Sequence, residues 1–209
     1  MSTKAHYDQW SATYDAIDNP TRDLEKRACE EVLSGISFGT VLELGGGTGK
    51  NTGWLAGRAR HAISLELSEQ MQAVARAKVT NTNAEFRSGD IRESWTFVEH
   101  KVDLITCSLI LEHINDLEHV FREAARVLAS DGQFYICELH PFKQYSGSKA
   151  RFESGGETIV LDCYQHHVTD YTRAARDAGF EISRMDEWFD NADRSQIPRL
   201  ISFLFKLKR

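Results

Sequence analysis

No stretch of the 209-residue chain approaches the run of roughly 18 apolar residues that a membrane-spanning helix needs. The N-terminal Met1-Ser2-Thr3-Lys4-Ala5-His6-Tyr7-Asp8 carries no apolar signal segment, so a cytoplasmic protein without a membrane span is expected. Only three prolines occur, and none interrupts a periodic apolar segment; Pro141 and Pro198 fall in connections. The four cysteines, Cys29, Cys107, Cys137 and Cys163, lie too far apart for a compact metal-ligand motif. Buried reduced thiols are expected instead, and no metal. Positive charge is also short, with 25 basic against 31 acidic residues and a formal net charge of -6. Such a molecule repels a phosphate backbone as a whole, so no nucleic-acid partner is expected. The one internal cluster that runs against this average is Lys143, Lys149 and Arg151.

What is present reads as one α/β domain over residues 1–209, a monomer or a homodimer. With 41% hydrophobic side chains the chain can fill a single core. Short β-branched apolar runs at 40–44, 62–66, 84–86, 102–107 and 133–138 alternate with longer helical stretches. That alternation predicts a doubly wound, mostly parallel sheet covered by helices on both faces. Residues 69–78 are alanine-rich, acidic at the start and basic at the end; residues 117–128 place Leu117, Val120, Phe121, Ala124, Ala125 and Leu128 on one helical face. Asp116 is the expected N-cap there and Asp131-Gly132 the expected stop. A last helix at 168–178, stopped by Gly179, leads to strands near 180–185 and 200–207, the latter expected to be antiparallel at the sheet edge. Residues 140–165 are rich in glycine, serine and charge and too long for an ordinary loop, so a structured substrate-side insertion or lid is expected.

The densest local signal is Thr40-Val41-Leu42-Glu43-Leu44-Gly45-Gly46-Gly47-Thr48-Gly49-Lys50. A buried strand that ends in so many glycines lets the backbone turn tightly and approach a ligand. Two familiar ligands fit it poorly. A triphosphate-binding loop needs glycine where Leu44 stands and a hydroxyl residue where Asn51 stands; the dinucleotide fingerprint needs its third glycine where Lys50 stands. Glu66 ends the next strand, at about the 20-residue interval where an acid accepts ribose hydroxyls. Gly89-Asp90 ends the third, where Asp90 can accept an adenine amino proton.

Glu43-x-Gly45-x-Gly47-x-Gly49, Glu66, Gly89-Asp90 and the run from Asp103 through Leu111-Glu112-His113 resemble the successive motifs of class I S-adenosylmethionine-dependent methyltransferases. The likeness covers about residues 38–138, and within the class is nearest to the small-molecule enzymes of quinone and biotin-precursor pathways. It implies a Rossmann-like seven-stranded sheet with an antiparallel last strand, S-adenosyl-L-methionine as cofactor and a small-molecule acceptor. Carried over by position, Gly45 and Gly47 face the methionine part of the cofactor, with Glu43, Gly46, Gly49 and Ser108 around them. Glu66 and Leu67 attend the ribose, and Asp90 with Ile91 the adenine. The N-terminal residues 1–35 resemble cap helices over such a site, with Tyr14 near the carboxylate.

Methyl transfer from a sulfonium needs alignment and exclusion of water more than a nucleophile, so the absence of Gly-x-Ser-x-Gly and His-Glu-x-x-His motifs counts little against it. His113 after the fourth strand and His140 after the fifth are the candidate bases. Tyr145, Lys149 and Arg151 of the insertion suit an anionic acceptor, and Trp188 and Phe189 an aromatic wall. A nicotinamide-dependent oxidoreductase and a non-catalytic cofactor-binding module are the alternatives.

Overall fold

The computed structural model describes residues 2–154 and 156–208. Its centre is a seven-stranded sheet. β1 (Thr40–Leu44), β2 (His61–Glu66), β3 (Ala84–Ser88), β4 (Val102–Ser108), β5 (Leu128–Leu139), β8 (Phe180–Trp188) and β9 (Leu200–Leu207) lie in the order β3-β2-β1-β4-β5-β9-β8. β1 pairs in parallel with both β2 and β4, because its apolar residues are buried on both faces and helices return the chain each time. The chain steps outward from β1 to β3 and then returns to β4 beside β1. That reversal opens a crevice above the carboxyl ends of β1 and β4, where this architecture binds ligands.

β9 is antiparallel to both of its neighbours, as expected, but it is not at the edge. Its Leu200-Ile201-Ser202-Phe203-Leu204-Phe205 is buried on both faces, whereas β8 alternates exposed and half-buried residues and forms the rim. A strand apolar on both sides needs cover on both sides, which only an inner position supplies.

The helices complete two layers. On one face α5 (Leu117–Val127) and α7 (Val168–Asp177) cover a core in which Phe121 meets Phe134, Phe180 and Phe205 edge-on, with ring centroids 5.4, 5.9 and 5.3 Å apart. Asp116 caps α5 by accepting the His119 N–H, and α7 stops at Gly179, whose φ of +88° suits only glycine well. Asp131-Gly132 does not stop α5. The helix ends at Val127, Leu128 is already extended, and Asp131, at φ +65°, sits in the irregularity that separates the Val102–Leu128 and Leu104–Gln133 pairings.

On the other face lie α2 (Pro20–Leu33) and α3 (Thr52–Arg58); α4 (Glu69–Lys78) connects β2 to β3. α2 therefore belongs to the sheet's own layer, with Leu24, Ala28, Val32 and Leu33 in the core. Of the expected N-terminal cap only α1 (Thr3–Trp10) and the turn before Asn19 lie over the strand ends. The insertion is structured: α6 (Pro141–Tyr145) is followed by a hairpin of β6 (Arg151–Ser154) and β7 (Glu157–Val160), separate from the main sheet. Phe152 stacks on Trp10 at 4.9 Å, which joins the hairpin to α1. No helix among the described residues is long and apolar enough to cross a membrane.

Candidate functional site

The glycine loop turns above β1 with Gly45 at φ +69° and Gly47 at φ +55°. A Cβ on Gly45 would stand 2.3 Å from Ile110, one on Gly46 1.9 Å from the Ser64 hydroxyl, and one on Gly47 would meet nothing within 4 Å. The open space lies at Gly47. The structure thus corrects a reading that rests on the alternate glycines 45, 47 and 49, because Gly46 is as sterically constrained as Gly45 while Gly47 is open. Gly49 has another role: its missing Cβ makes room for Ala75 and Val79 at the end of α4.

Glu43 supports the loop from beneath. Its Oε2 accepts from Thr52 Oγ1 at 2.5 Å and from Ser64 Oγ at 2.9 Å. Burial pushes its carboxyl up to about 7 despite those two hydroxyls. Glu66 stands beside the open glycine. Its two oxygens accept the N–H groups of Gly47 and Ser68, both at 2.8 Å, and burial raises its pKa against them. A carboxylate has room for further donors beyond these two, so ribose hydroxyls can join.

Two cavities share Glu66. The first, about 720 Å³ counted to its open mouth, is lined by Tyr14, Glu43, Gly45, Gly46, Gly47 and Ser108 among others. The second, about 540 Å³, is lined by Gly45, Glu66, Leu67, Asp90 and Ile91, and also by His113. Asp90 opposes burial through hydrogen bonds from Arg92, which leave its pKa below the ordinary value. The hydroxyls of Thr106 and Ser108 are buried at the first cavity without a hydrogen-bond partner among the described residues. Orphaned hydroxyls, an open glycine and an acid with spare acceptor capacity are what an adenosine carrying an amino acid tail would complete. The residues present therefore fit S-adenosylmethionine.

Several residues here escaped the sequence reading. Lys50 does not face solvent: it lines the first cavity and pairs with the fully buried Glu25, which Asn51 Nδ2 also reaches at 3.1 Å. Arg22 lies 4.2 Å over the Tyr14 ring and donates to the carbonyls of Tyr14 and Ile17. The cap is tied to the loop by Thr48 donating to Asp15 at 2.7 Å, and to α4 by Ser68 donating to Asp8 at 2.6 Å. These partners sit far apart in the chain at ordinary spacings, so no local pattern marks them.

The two candidate bases differ sharply. His113 sits in a short 3-10 turn after β4, held there because Glu138 accepts the N–H groups of Ile110 and Leu111, both at 3.0 Å. Its Nδ1 lies 3.1 Å from the Asp162 carbonyl and its Nε2 2.9 Å from the Tyr7 hydroxyl. A carbonyl can only accept, so Nδ1 carries the proton and Nε2 accepts from Tyr7. His140 is 3% exposed, accepts the Phe142 N–H as N-cap of α6, places Nε2 3.2 Å from Glu187, and lines none of the cavities described. The structure corrects its expected place: both ring nitrogens are engaged in holding the start of the insertion.

A third cavity, about 1410 Å³ to its mouth, lies between α1, the start of α2 and the insertion, with Trp10, Glu112, Lys149, Arg151 and Phe152 in its walls. Tyr7 lines all three cavities. Trp188 is not a wall of any of them; it packs in the core and donates to Ser202 at 2.8 Å. Tyr145 bonds His167, and His166 reaches the carbonyls of Leu111 and Ile114. Glu112, His113 and Cys163 bring three metal-ligating atoms within 4.8 Å of one another. Burial and Glu112 push the Cys163 thiol up to about 12, which keeps that sulfur protonated at neutral pH. Cys29, Cys107 and Cys137 are buried free thiols.

Comparison with known proteins adds an independent line. Residues 42–136 match the family described as methyltransferase domain. The chain is 30% identical over 131 residues to the biotin biosynthesis bifunctional protein BioHC of Cellvibrio japonicus, a match covering 63% of this chain and 26% of that protein. It is 26% identical over 113 residues to the ubiquinone biosynthesis O-methyltransferase of Nitrosomonas europaea, covering 53% and 48%. The chain thus spans about a quarter to a half of the length of these curated relatives. Among solved structures, the complex of DhpI with S-adenosylhomocysteine superposes with a TM-score of 0.77 at 23% identity, over 98% of this chain and 95% of that one. Residues 42–136 therefore match a methyltransferase domain, and the chain as a whole has the fold of the solved methyltransferase structure on which it superposes.

Proposed function

We propose that this chain transfers the methyl group of S-adenosylmethionine to a small diffusible acceptor. The observation that carries the reading is Tyr7, which lines the glycine-loop cavity, the adenosine-side cavity and the separate cavity under the insertion. A donor in the first two and an acceptor in the third would meet at that residue. When bound, the cofactor supplies an activated methyl group, so the protein's task is alignment and exclusion of water.

Glu66 would receive the ribose hydroxyls, Asp90 and Ile91 the adenine, and the loop at Gly45 to Gly47 the methionine portion, with Tyr14 and Arg22 closing that end. Burial keeps the Tyr7 phenol protonated by raising its pKa well above the usual value. Its hydroxyl therefore donates to His113 Nε2 and can accept a proton from an acceptor on its other side. In that arrangement His113 is the base, reached through Tyr7, and the Asp162 carbonyl holds the imidazolium that results. Aromatic faces of Tyr7, Trp10 and Tyr14, with Trp10 and Tyr14 4.7 Å apart, exclude water from the junction.

Calorimetric titration with S-adenosylmethionine, S-adenosylhomocysteine and NADH tests the donor. Both sulfur compounds should bind and NADH should not; NADH binding alone would reject the reading. Methyl transfer from labelled cofactor to a broad set of small acceptors tests the reaction itself, and its absence across the set would leave a binding module.

A further inference from the structure

The whole chain is acidic, with a formal net charge of -6, yet the cavity under the insertion is lined by five cationic side chains, Arg22, Lys143, Lys149, Arg151 and Arg199, against two acids, Asp18 and Glu112. The cations are not all alike. Arg199 is held by a two-point pair with Asp190, at 2.5 and 2.7 Å, and Asp190 also feels Lys143. Arg22 spends its donors on the Tyr14 and Ile17 carbonyls and has no acid at ion-pair distance among the described residues, although its charge reaches Asp15. Lys149 and Arg151 have no acidic partner at ion-pair distance among the described residues, although ion pairs are common elsewhere on the surface.

Grouping cations in one concave wall costs mutual repulsion, and the low-dielectric walls focus their field into the space between them. The same cavity has an apolar side, where Trp10 and Phe152 stack, and reaches Tyr7. Lys149 and Arg151 flank the beginning of the hairpin whose Phe152 is anchored on α1, so their backbone is positioned by that stack rather than by a free loop.

We propose that this cavity takes an acceptor bearing an oxyanion group, carboxylate or phosphate, gripped by Lys149 and Arg151 with Lys143 and Arg22 behind them, its body against Trp10 and Phe152 and its reacting atom at Tyr7. The proposal rests on the methyltransferase reading for the reaction at Tyr7, but the anion site itself does not depend on it. Arg151 is suited to a planar, two-point grip, and Lys149 to a point charge, so both oxyanion types match the chemistry.

The test uses the full chain saturated with S-adenosylhomocysteine, at low ionic strength. Inorganic phosphate and pyrophosphate form one arm and citrate the other, each titrated calorimetrically against wild type and Lys149→Gln/Arg151→Gln. Saturable binding that weakens at least about tenfold in the variant is expected, with S-adenosylhomocysteine affinity changed less than about twofold. The arm that binds more tightly names the oxyanion. Both substituted side chains are exposed, so the variant should fold, and an unchanged melting temperature would confirm it. A second measurement follows methyl transfer to paired acceptors, each with and without its carboxylate or phosphate; only the anionic members should be methylated, with KM raised in the variant. Absence of saturable binding in both arms, equal binding by the variant, or methylation of the neutral members alone overturns the proposal. Failure of the chain to bind either sulfur compound would instead defeat the methyltransferase reading, and leave the anion titrations to decide the site.

Discussion

The proposed donor side and the proposed acceptor side of this molecule are built by different means. The donor side is contiguous: a glycine loop, Glu66 and Asp90 each follow a parallel strand, and backbone geometry sets their spacing. The acceptor side is assembled from α1, the start of α2, the turn after β4 and a hairpin that belongs to no main strand, joined by side chains. Strand ends tolerate no change of register, whereas side-chain contacts between insertions can be exchanged without altering the sheet. On the proposed reading the donor is held by the sheet and the acceptor by what is placed over it.

The largest effect separating the two sides should come from His113. His113→Ala should lower the single-turnover methyl-transfer rate by roughly 10² to 10⁴-fold with little change in S-adenosylhomocysteine affinity, and Tyr7→Phe should follow it in direction. Rates near wild type in both variants would leave alignment alone to explain the reaction. A rate loss accompanied by an equal loss of cofactor affinity would place His113 on the donor side instead.

Gly45→Val should act on the donor side alone. It combines a positive φ with a Cβ driven into Ile110, at a cost of about 2–5 kcal/mol from backbone strain and overpacking. S-adenosylhomocysteine titration should show binding lost or severely weakened, and Gly46→Val should behave similarly. Binding retained by Gly46→Val would mean that Ser64 gives way more easily than its bond to Glu43 suggests. Glu66→Ala should cost about 1.5–3 kcal/mol of cofactor affinity, since charge-assisted hydrogen bonds to the ribose are lost. Unchanged calorimetric affinity in the folded variant would remove Glu66 from the ribose.

Glu43 ties the donor side to stability. Its carboxyl titrates near 7 in the folded protein, above the usual carboxylate value of 4.5, so the folded state holds a proton that the unfolded state has released between those limits. Stability from this group is fully present below about 4.5 and falls as pH rises toward 7, by up to about 1.4 kcal/mol per pH unit. Urea unfolding between pH 5 and 8 should therefore show a decline that Glu43→Gln reduces. Glu138, pushed up to about 8 by burial, acts in the same direction and remains in the variant. Equal slopes in the two proteins would show that Glu43 keeps an ordinary pKa. The smallest effect is expected at His140, where alanine removes the N-cap of α6 and costs about 1 kcal/mol in unfolding while transfer by the folded enzyme stays close to wild type. A large loss of transfer rate there would restore His140 as a participant.

By itself the sequence determined the sheet and the donor motifs, because both are written in local terms. Apolar runs mark β1, β2 and β4 within a residue of where they lie, Asp116 caps its helix, and glycines and acids stand at or after strand ends at regular intervals. The doubly apolar run of β9 also contained its interior position, which burial on both faces requires. Only the tertiary structure decided which of two histidines meets the cavities. His113 and His140 both follow strands, and the difference between a base bonded to Tyr7 and a cap bonded to Glu187 arises from partners 106 and 47 residues away. It likewise decided that Lys50 neutralises Glu25 and that Arg22 and Arg199 join the lysines of the insertion around one cavity. Such pairings depend on through-space distance between elements, and no periodicity along the chain encodes it.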